Sequence, residues 1–290
     1  MKIAITGVSG FIGSELTGAL SDYNDISIVG LTRGGQKEDS DRMSWFATDY
    51  SVESLTEGLE GVDVVVHLAA VRGTAGTLAD YSVNEVITEN LLRAAGECGV
   101  KRFVFASSIA VYSDTAAIPW TEEMRLTPKT LYGITKAACE HLCQYYSRQY
   151  GYDSVILRIA QVLGTGEKRR VMTNVFIEQA KEGKQLKVMG KSAARRQYIY
   201  SRDLGEILAR LATEDHGSVI LNAGMDEACT NLEIASLVNE VYHNPQPVDY
   251  DDSKPETIEP SCMSTELIKS LLSCRFRGMK EALTDISMNY

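Results

Sequence analysis

The stretch that decides the fold is residues 2–20, KIAITGVSGFIGSELTGAL. A short apolar strand comes first, a turn with glycines at Gly7, Gly10 and Gly13 follows, and a helical pattern completes the stretch. Glycines let the backbone turn tightly and approach a pyrophosphate, whose charge meets the free N–H groups at the start of the helix. The stretch therefore predicts a dinucleotide-binding turn, and a tight turn without a ligand is the alternative. The turn residues expected to contact the cofactor are Gly7, Ser9, Gly10, Phe11, Ile12 and Gly13.

The same alternation of strands and helices continues as far as residue 160. Further strands are predicted at 26–31, 62–70, 102–107 and 154–160, and further helices at 79–97 and 131–149. The run at 62–70, VDVVVHLAA, is too continuously apolar for a strand with one wet face, so it fits a strand buried on both faces. Strands joined by helical crossovers predict an α/β fold with a Rossmann-type doubly wound parallel sheet.

The regular alternation ends in the second half of the chain. We expect a cofactor-binding Rossmann domain over residues 1–163 and a smaller, mixed α/β substrate-binding domain over 164–290. Segments near 197–224 are candidates to return to the first domain, since SVILNAG (218–224) fits one more strand. The proline-spaced segment 244–260 predicts a loop.

Composition and charge exclude several classes of function. The chain has 290 residues and a formal net charge of −10, which argues against binding to nucleic acid or an anionic membrane, because neutralising phosphates takes clustered Lys and Arg. It has no signal-peptide pattern and no apolar run near the roughly 18–20 residues of a membrane span, so we expect a cytoplasmic protein. The six cysteines include no CxxC pair and the four histidines form no zinc-like pattern, which predicts reduced thiols and no metal site.

Two pairs of residues bear on the adenosine end of the cofactor. An acidic residue about 20 positions after the glycine turn would bind the ribose of NAD, but the second strand ends in Thr32 and Arg33. A guanidinium can bind a 2′-phosphate, so this pair favours NADP over NAD, with a surface arginine as the alternative. Asp49, with Tyr50 after it, is placed either to accept a hydrogen bond from the adenine amino group or to cap the next helix.

A tyrosine, a lysine and two serines are the candidate catalytic groups. Tyr132 and Lys136 lie four residues apart in a predicted helix and therefore share one face. A free phenol has a pKa of about 10, and a nearby ammonium stabilises the phenolate, which allows such a group to act as a base. Ser107 and Ser108, in FASSIAVYS (105–113), follow a buried strand, and the residues alone do not choose between them.

Taken together, these motifs resemble the extended short-chain dehydrogenase/reductase family, in its nucleotide-sugar epimerase and dehydratase branch. The resemblance rests on six motifs in the family's order and extends over nearly the whole chain. They are TGVSGFIG, VVVHLAA, YSVNEVITENLLRAA, FASSIAVYS, YGITKAACE and RRQYIYSRDLGEIL. The resemblance implies an NAD(P)-dependent enzyme that acts on a nucleotide-diphosphate sugar and, through the helices near 79–97 and 131–149, forms a homodimer.

The resemblance also implies roles for individual residues. Tyr132 would be the general acid–base on a sugar hydroxyl, Ser108 would hydrogen-bond the reacting oxygen, and Lys136 would bind the nicotinamide ribose. Asn84 would help to order that lysine and its water. Further cofactor contacts are implied for Leu68, Ala69, Ala70 and Ile159, in addition to Thr32, Arg33, Asp49, Tyr50, Tyr132 and Lys136.

Substrate contacts are implied for Ser108 and for residues in the second half of the chain. Arg196 matches the family arginine that grips the diphosphate of the substrate, with Arg195 as an alternative. The segment LRIAQVLG departs from the family pattern LRPGNVYG, because Ile159 replaces a proline and Gln161 replaces an asparagine. Both positions line the nicotinamide or the nucleotide in the family, so these departures bear on the preference for base and sugar.

The resemblance narrows the reaction through what is missing beside Ser108. Family 4,6-dehydratases carry Asp and Glu directly after the catalytic Ser or Thr, whereas this chain has Ile109 and Ala110. Family decarboxylases and 3,5-epimerase/reductases carry Glu or Cys at the position of Ala110. What remains is hydride transfer at a single carbon. A 4-epimerase is favoured, an NADPH-dependent reductase of a 4-keto sugar is the first alternative, and a non-catalytic NAD(P) sensor is the second.

Overall fold

The computed structural model describes residues 1–34, 39–73 and 75–289 of the chain. Within them, the strands are β1 (Lys2–Thr6), β2 (Ser27–Thr32), β3 (Met43–Ala47), β4 (Val64–His67), β5 (Arg102–Ala106), β6 (Asp153–Ile159), β7 (Gln161–Leu163), β8 (Lys187–Met189), β9 (Tyr198–Tyr200), β10 (Val219–Ala223) and β11 (Asp249–Asp251). The helices in the same residues are α1 (Phe11–Leu20), α2 (Val52–Gly58), α3 (Leu78–Glu97), α4 (Leu131–Tyr150), α5 (Met172–Lys181), α6 (Ser201–Thr213), α7 (Asn231–Val241), α8 (Glu266–Leu272) and α9 (Met279–Met288). Two short 3-10 turns lie at Ile109–Val111 and Thr115–Ala117.

The described strands form one large sheet and two small pairs. The large sheet has seven strands in the order β10-β6-β5-β4-β1-β2-β3. The pairs β1–β2, β1–β4, β2–β3, β4–β5 and β5–β6 are all parallel, with Ile5 of β1 opposite both Gly30 and Val66. The order 3-2-1-4-5-6 is that of a doubly wound nucleotide-binding sheet, so the predicted Rossmann-type fold is confirmed.

The central strands are buried on both faces, as their continuous apolar runs predict. β1 is buried from Ile3 to Thr6, and β4 is buried along its whole length. β4 is shorter than the predicted strand at 62–70. At the carboxyl end, the N–H of Ala69 donates to the side-chain oxygen of Thr6 at 3.1 Å, and that of Leu68 is shared between this oxygen at 3.1 Å and the backbone oxygen of Thr6 at 3.3 Å.

The chain divides into two compact units. The first consists of Met1–Ser113, Glu122–Ile159 and Leu204–Leu221, and the second of Asp114–Thr121, Ala160–Asp203 and Asn222–Tyr290. The boundaries fall inside α6 and β10, so neither unit is one continuous segment. The assignment of cofactor binding to residues 1–163 and of substrate binding to 164–290 stays a prediction.

In the first unit, α3 and α4 contact each other and supply much of the core. Leu91 and Leu92 of α3, and Cys139 and Cys143 of α4, are all 0% exposed. Truncating a buried leucine of this kind to alanine costs about 2–5 kcal/mol of stability. This shared core fixes α3 and α4 relative to each other, and with them the side chains of Asn84, Tyr132 and Lys136.

Two caps fix where α4 begins and ends. The side chain of Thr130 accepts a hydrogen bond from the N–H of Gly133 at 3.0 Å, which stabilises the first turn. Gly151 ends the helix in the left-handed conformation at φ 81, which favours glycine. Tyr132 is therefore the second residue of the helix, and Lys136 lies one turn further along the same face.

The second unit has its own apolar core, around buried side chains of α5, α7 and α9. They include Phe176, Ile177, Ile234, Val238, Ala282, Leu283 and Ile286. Within the segment 244–260, which the sequence predicts as a loop, β11 pairs in parallel with β8. The prediction of a loop is wrong at these three residues, because three residues are too few for an alternating pattern to indicate a strand. An ion pair between Lys187 and Asp249 at 3.5 Å also joins the two strands.

Candidate active site

The glycine turn between β1 and α1 leaves no room for side chains at two positions. Gly7 has φ +69, and a Cβ atom there would lie 2.9 Å from the backbone nitrogen of Ala69. A Cβ atom on Gly13 would lie 2.4 Å from the carbonyl oxygen of Gly7. The N-cap of α1 is Gly10, which supplies no side-chain cap to the first turn. Such a helix start, with bare N–H groups beside a tight glycine turn, fits the pyrophosphate of a dinucleotide.

A buried polar chain beneath this turn was missed by sequence reasoning. The Thr6 hydroxyl oxygen accepts from the N–H groups of Leu68 and Ala69 and lies 2.6 Å from His67 Nδ1. Since both lone pairs of that oxygen are used, its proton goes to Nδ1, and Nε2–H donates to Thr88 Oγ1 at 3.1 Å. These hydrogen bonds fix the backbone of Leu68 and Ala69, two of the predicted cofactor contacts. Its only signal in the sequence is a histidine that ends an apolar strand.

His67 is uncharged at neutral pH. Burial lowers the pKa of its imidazole to about 3, and the nearby charge of Lys136 acts in the same direction. A neutral ring can hold both of its hydrogen bonds in the tautomer described above.

At the adenosine end, the side chain of Asp49 is exposed and accepts a hydrogen bond from the N–H of Ser51 at 2.8 Å. Ser51 is itself the N-cap of α2, so the alternative that Asp49 caps this helix is wrong. Hydrogen bonds from Ser51 lower the pKa of the Asp49 carboxyl, which keeps it an acceptor.

Tyr50 and Arg33 lie near each other at the same end. Tyr50 is buried and adopts φ 64, and its carbonyl oxygen accepts from Asn90 Nδ2 at 2.9 Å. Burial raises the pKa of the Tyr50 phenol, and the charge of Arg33 opposes that shift. Arg33 is exposed, and Thr32 donates to the carbonyl oxygen of Gly34 at 3.2 Å. Arg33 is thus close enough to Tyr50 for its charge to act on the phenol.

Lys136 is anchored at the carboxyl end of β5. Its ammonium donates to the carbonyl oxygen of Ala106 at 2.6 Å and lies 4.5 Å from the ring centre of Phe105. The ring centre of Tyr132 is 5.9 Å from the same nitrogen. Lys136 is 3% exposed, whereas Tyr132 is half-buried. The predicted pair is therefore brought together, with the cation buried and the phenol accessible.

The two serines differ in their surroundings. Ser107 is buried, and its hydroxyl donates to Glu140 Oε1. Ser108 is half-buried and begins the 3-10 turn at Ile109–Val111, where its hydroxyl oxygen accepts from the N–H of Ala110 at 3.2 Å. The hydroxyl proton of Ser107 is therefore committed to a carboxylate inside the protein.

The start of α4 lies against the turn that follows Ser108. A Cβ atom on Gly133 would lie 2.2 Å from the carbonyl oxygen of Ala110. Only glycine permits this approach, so the residue after Tyr132 and the second residue after Ser108 are in direct contact. The two predicted catalytic groups are thereby placed on neighbouring segments.

Asn84 of α3 lies against α4 but is bonded mainly to the backbone of Val71. Its Oδ1 accepts from the N–H of Val71 at 2.7 Å, and its Nδ2 donates to the carbonyl oxygen of Val71 at 3.0 Å. Nδ2 is also 3.5 Å from Thr135 Oγ1, next to Lys136 in sequence. The predicted role of Asn84 in ordering Lys136 stays a prediction.

In the second unit, the two adjacent arginines have different partners. Arg195 donates to the carbonyl oxygen of Ala228 at 2.6 Å and forms an ion pair with Glu233, a residue of the α7 capping box. Arg196 donates to Gln161 Oε1 at 3.3 Å and to Asn231 Oδ1 at 2.7 Å. Among the described residues, the buried Nε of Arg196 has no partner. Arg196 therefore keeps a free donor and is not neutralised by the carboxylate of Glu233.

The remaining predicted contacts are distributed along the strand ends. Ala70 is half-buried just past β4, and Ile159 is 5% exposed as the last residue of β6. Gln161 pairs with Tyr198 between β7 and β9. Carboxyl ends of parallel strands are where open α/β sheets bind ligands.

Three structural findings concern cysteines, metals and membranes. All six cysteines are free thiols. Among the described residues, no three or more His, Cys, Asp or Glu side chains are grouped so as to hold a metal ion. Nor does any helix in those residues have the length and apolar character to cross a membrane.

Comparison with known proteins identifies the family. The model of the NAD dependent epimerase/dehydratase family matches residues 3–224. A Bacillus subtilis (strain 168) protein described as an uncharacterized UDP-glucose epimerase, YtcB, is 30% identical over 261 residues, which cover 83% of this chain and 82% of that protein. The chain therefore belongs to the NAD dependent epimerase/dehydratase family, and the predicted resemblance is confirmed.

Solved structures agree with this assignment. The crystal structure of UDP-N-acetylglucosamine 4-epimerase from Bacillus cereus has a TM-score of 0.90 and 31% identity, covering 100% of this chain and 99% of that chain. UDP-glucuronic acid 4-epimerase from the same organism, in complex with UDP-glucuronic acid and NAD, has a TM-score of 0.86 and 26% identity, with 100% coverage of both chains.

Proposed function

We propose that the protein is a nucleotide-sugar 4-epimerase that transfers a hydride between C4 of the sugar and a nicotinamide cofactor. The observation that carries the proposal is the buried ammonium of Lys136, anchored to Ala106 and 5.9 Å from the ring of the accessible Tyr132. Relatives named as UDP-sugar 4-epimerases support the reaction and favour a UDP-sugar as substrate.

The first unit fits a dinucleotide. The cradle at Gly7 and Gly13, which any Cβ atom would fill, and the start of α1 would hold the pyrophosphate. When bound, the nicotinamide supplies a reversible hydride acceptor. Lys136 would bind the nicotinamide ribose from the carboxyl end of β5.

The reacting hydroxyl of the sugar would be handled by two side chains. Tyr132 removes the proton from the C4 hydroxyl as hydride leaves C4, which yields a 4-keto sugar. This sugar turns in the site, and Tyr132 returns the proton as hydride comes back to the opposite face of C4. Ser108 hydrogen-bonds the same oxygen and holds it near the phenol. The commitment of Ser107 to Glu140 supports the choice of Ser108.

The residues after Ser108 limit the chemistry to this step. Elimination of water needs a further acid–base pair, and Ile109 and Ala110 have no group that transfers a proton. A 4,6-dehydratase or a decarboxylase is disfavoured for this reason.

In the second unit, Arg196 would bind the substrate diphosphate. Its unpartnered Nε and its neutral partners, Gln161 and Asn231, leave the guanidinium charge available to an anion. Arg195, already paired with Glu233, is the less suitable of the two.

The cofactor is NAD or NADP, and two observations favour different answers. Thr32 and the exposed Arg33, near Tyr50, favour NADP because a guanidinium can bind a 2′-phosphate. The solved UDP-glucuronic acid 4-epimerase contains NAD. A reductase that consumes NADPH is the second candidate function, and Arg33 is the observation that favours it.

One experiment separates these functions. Purified protein is analysed by native mass spectrometry for retained cofactor and then assayed with UDP-glucose, UDP-N-acetylglucosamine and UDP-glucuronic acid. An epimerase retains its dinucleotide and interconverts a 4-epimer pair without added cofactor. Net consumption of NADPH would indicate the reductase, and Tyr132→Phe should abolish either activity while sparing cofactor binding. Cofactor binding without any turnover of nucleotide sugars would favour a sensor.

We further propose that the chain forms a homodimer through α3 and α4. Val86, Ile134 and Tyr145 on these helices are 55%, 43% and 56% exposed, and exposed apolar side chains on adjacent helices favour association. Sedimentation equilibrium tests the proposal, and Val86→Glu with Tyr145→Glu should yield a monomer.

A further inference from the structure

A buried ion pair lies beside the segment Ser107–Tyr112, hereafter the serine turn. Glu140 of α4 and Arg158 of β6 have side chains 1% and 3% exposed, and Arg158 Nη2 is 2.7 Å from Glu140 Oε2. Arg158 Nε is 3.1 and 3.2 Å from the two carboxylate oxygens. Burial alone would lower the pKa of Arg158, but hydrogen bonds and charge from Glu140 outweigh it and raise that pKa.

The ion pair is bonded to both ends of the serine turn. Ser107 donates to Glu140 Oε1 at 2.5 Å. Arg158 Nη1 donates to the hydroxyl of Tyr112 at 2.5 Å, and to the carbonyl oxygen of Glu122 at 3.0 Å. The residue before Ser108 and the residue four after it are therefore each attached to one member of the pair.

Glu140 is also part of α4, the helix that carries Tyr132 and Lys136. Glu140 lies one turn after Lys136 and two turns after Tyr132 along α4. Ser107 is bonded directly to Glu140, and Tyr112 is bonded to it through Arg158. These bonds connect the serine turn to α4 at a second point, besides the contact between Ala110 and Gly133.

We propose that Glu140 and Arg158 are positioning residues, which set the placement of Ser108 relative to Tyr132 and Lys136. The proposal rests on the proposed function for the identity of the reacting groups. An apolar pair of similar volume is often as stable as a buried ion pair. It supplies no bonds to the hydroxyls of Ser107 and Tyr112, however. A misplacement of about 1 Å in a reacting group can lower a rate about 100-fold.

The test compares variants of this network with an ion pair elsewhere in which the arginine is buried and the carboxylate is exposed. Glu140→Gln keeps the shape of the side chain and removes its charge, while Ser107→Ala and Tyr112→Phe each delete one hydroxyl and leave the ion pair intact. The control is Arg102→Lys, because Arg102 begins β5, is 8% exposed, and pairs with Asp215 at 2.9 Å. This control shows what a loss of stability alone does to kcat, because Arg102 lies at the start of β5 and the serine turn follows the end of that strand.

We expect Glu140→Gln to lower kcat about 10- to 100-fold, with KM and the cofactor Kd changed less than about twofold. The two hydroxyl deletions should lower kcat in the same direction by a smaller factor, and Arg102→Lys should lower Tm without changing kcat. If Glu140→Gln does not fold, the hydroxyl deletions decide. Unchanged kcat in those variants, or an equal loss in Arg102→Lys at equal Tm, would overturn the proposal.

A second measurement does not depend on turnover. Amide hydrogen exchange of the cofactor-bound protein should become faster over residues 105–113 in Ser107→Ala and Tyr112→Phe, and remain unchanged there in Arg102→Lys. If the wild-type protein turns over no nucleotide sugar, the proposed function fails and exchange still decides whether the pair orders the serine turn. If the wild type is an active epimerase and neither kcat nor exchange changes, only the positioning proposal is wrong.

Discussion

The ammonium of Lys136 donates a 2.6 Å hydrogen bond to the backbone oxygen of Ala106, which joins α4 to the end of β5. Lys136→Met removes this charge and leaves the buried oxygen unpaired, at a cost of about 1–3 kcal/mol in stability. We expect kcat to fall at least about 100-fold, as for loss of acid–base catalysis. Lys101→Met, at a side chain 77% exposed, is the control and should retain full activity. Retention of more than about a tenth of wild-type kcat by Lys136→Met would contradict the proposed role of Lys136.

Gly13→Ala should reduce cofactor binding. Its Cβ atom would lie 2.4 Å from the Gly7 oxygen, so the turn must open. Gly18→Ala is the matched control, because it lies in the same helix with no atom within 4 Å of the added Cβ. We expect the control to gain up to about 1 kcal/mol of stability and to bind cofactor normally. Fluorescence titration with NADH and NADPH measures the cofactor affinity of each variant. Equal affinities in the two variants would count against the turn as the pyrophosphate site.

Arg33→Ala tests the adenosine end. If Arg33 binds a 2′-phosphate, the variant should lose about tenfold or more in affinity for NADP and little for NAD, since a charge-assisted hydrogen bond contributes about 1.5–3 kcal/mol. Isothermal titration with each dinucleotide gives the two values. An equal effect on the affinities for both cofactors would show that Arg33 does not bind the 2′-phosphate of NADP.

Arg196 and Arg195 should differ in their effect on substrate binding. Arg196→Met is expected to raise KM for the UDP-sugar about tenfold or more, because it removes a guanidinium with a free buried donor. Arg195→Met breaks a surface ion pair with Glu233 and should change KM less than about threefold. Steady-state kinetics on both variants checks this, and the reverse order would exchange their roles.

His67 should make the protein less stable as pH falls. Its folded-state pKa of about 3 lies below the unfolded value of 6.5, so the unfolded chain binds one more proton between these values. The stability contributed by the neutral ring is complete above about pH 6.5 and declines by up to about 1.4 kcal/mol per pH unit below it. Denaturant unfolding of the wild type and of His67→Gln from pH 7 to pH 4 isolates this slope, since the carboxylates are common to both. Parallel pH dependences would mean that His67 is not buried as a neutral ring.

The class of fold was predictable because it depends on local pattern. The order of apolar runs, the glycines of the first turn and the spacing of Tyr132 and Lys136 are all readable within short windows. β11 was not predictable, since it is only three residues long and its partner strand, β8, lies about 60 residues earlier in the chain. The end of β4 was misjudged by three residues at its carboxyl end, where the side chain of Thr6, far away in sequence, accepts from the next N–H groups.

The sequence by itself determined the protein family, through the glycine turn and the tyrosine–lysine pair. The proposal of hydride transfer at a single carbon also starts from the sequence, at Ile109 and Ala110. Tertiary structure decided which polar side chains are bonded within the protein and which remain available to bind a ligand. Ser107 is bonded to Glu140, 33 residues away, and Arg195 is held by Ala228 and Glu233, at separations of 33 and 38. A buried polar group must find a partner wherever the fold brings one, and a local pattern carries no information about such distant partners.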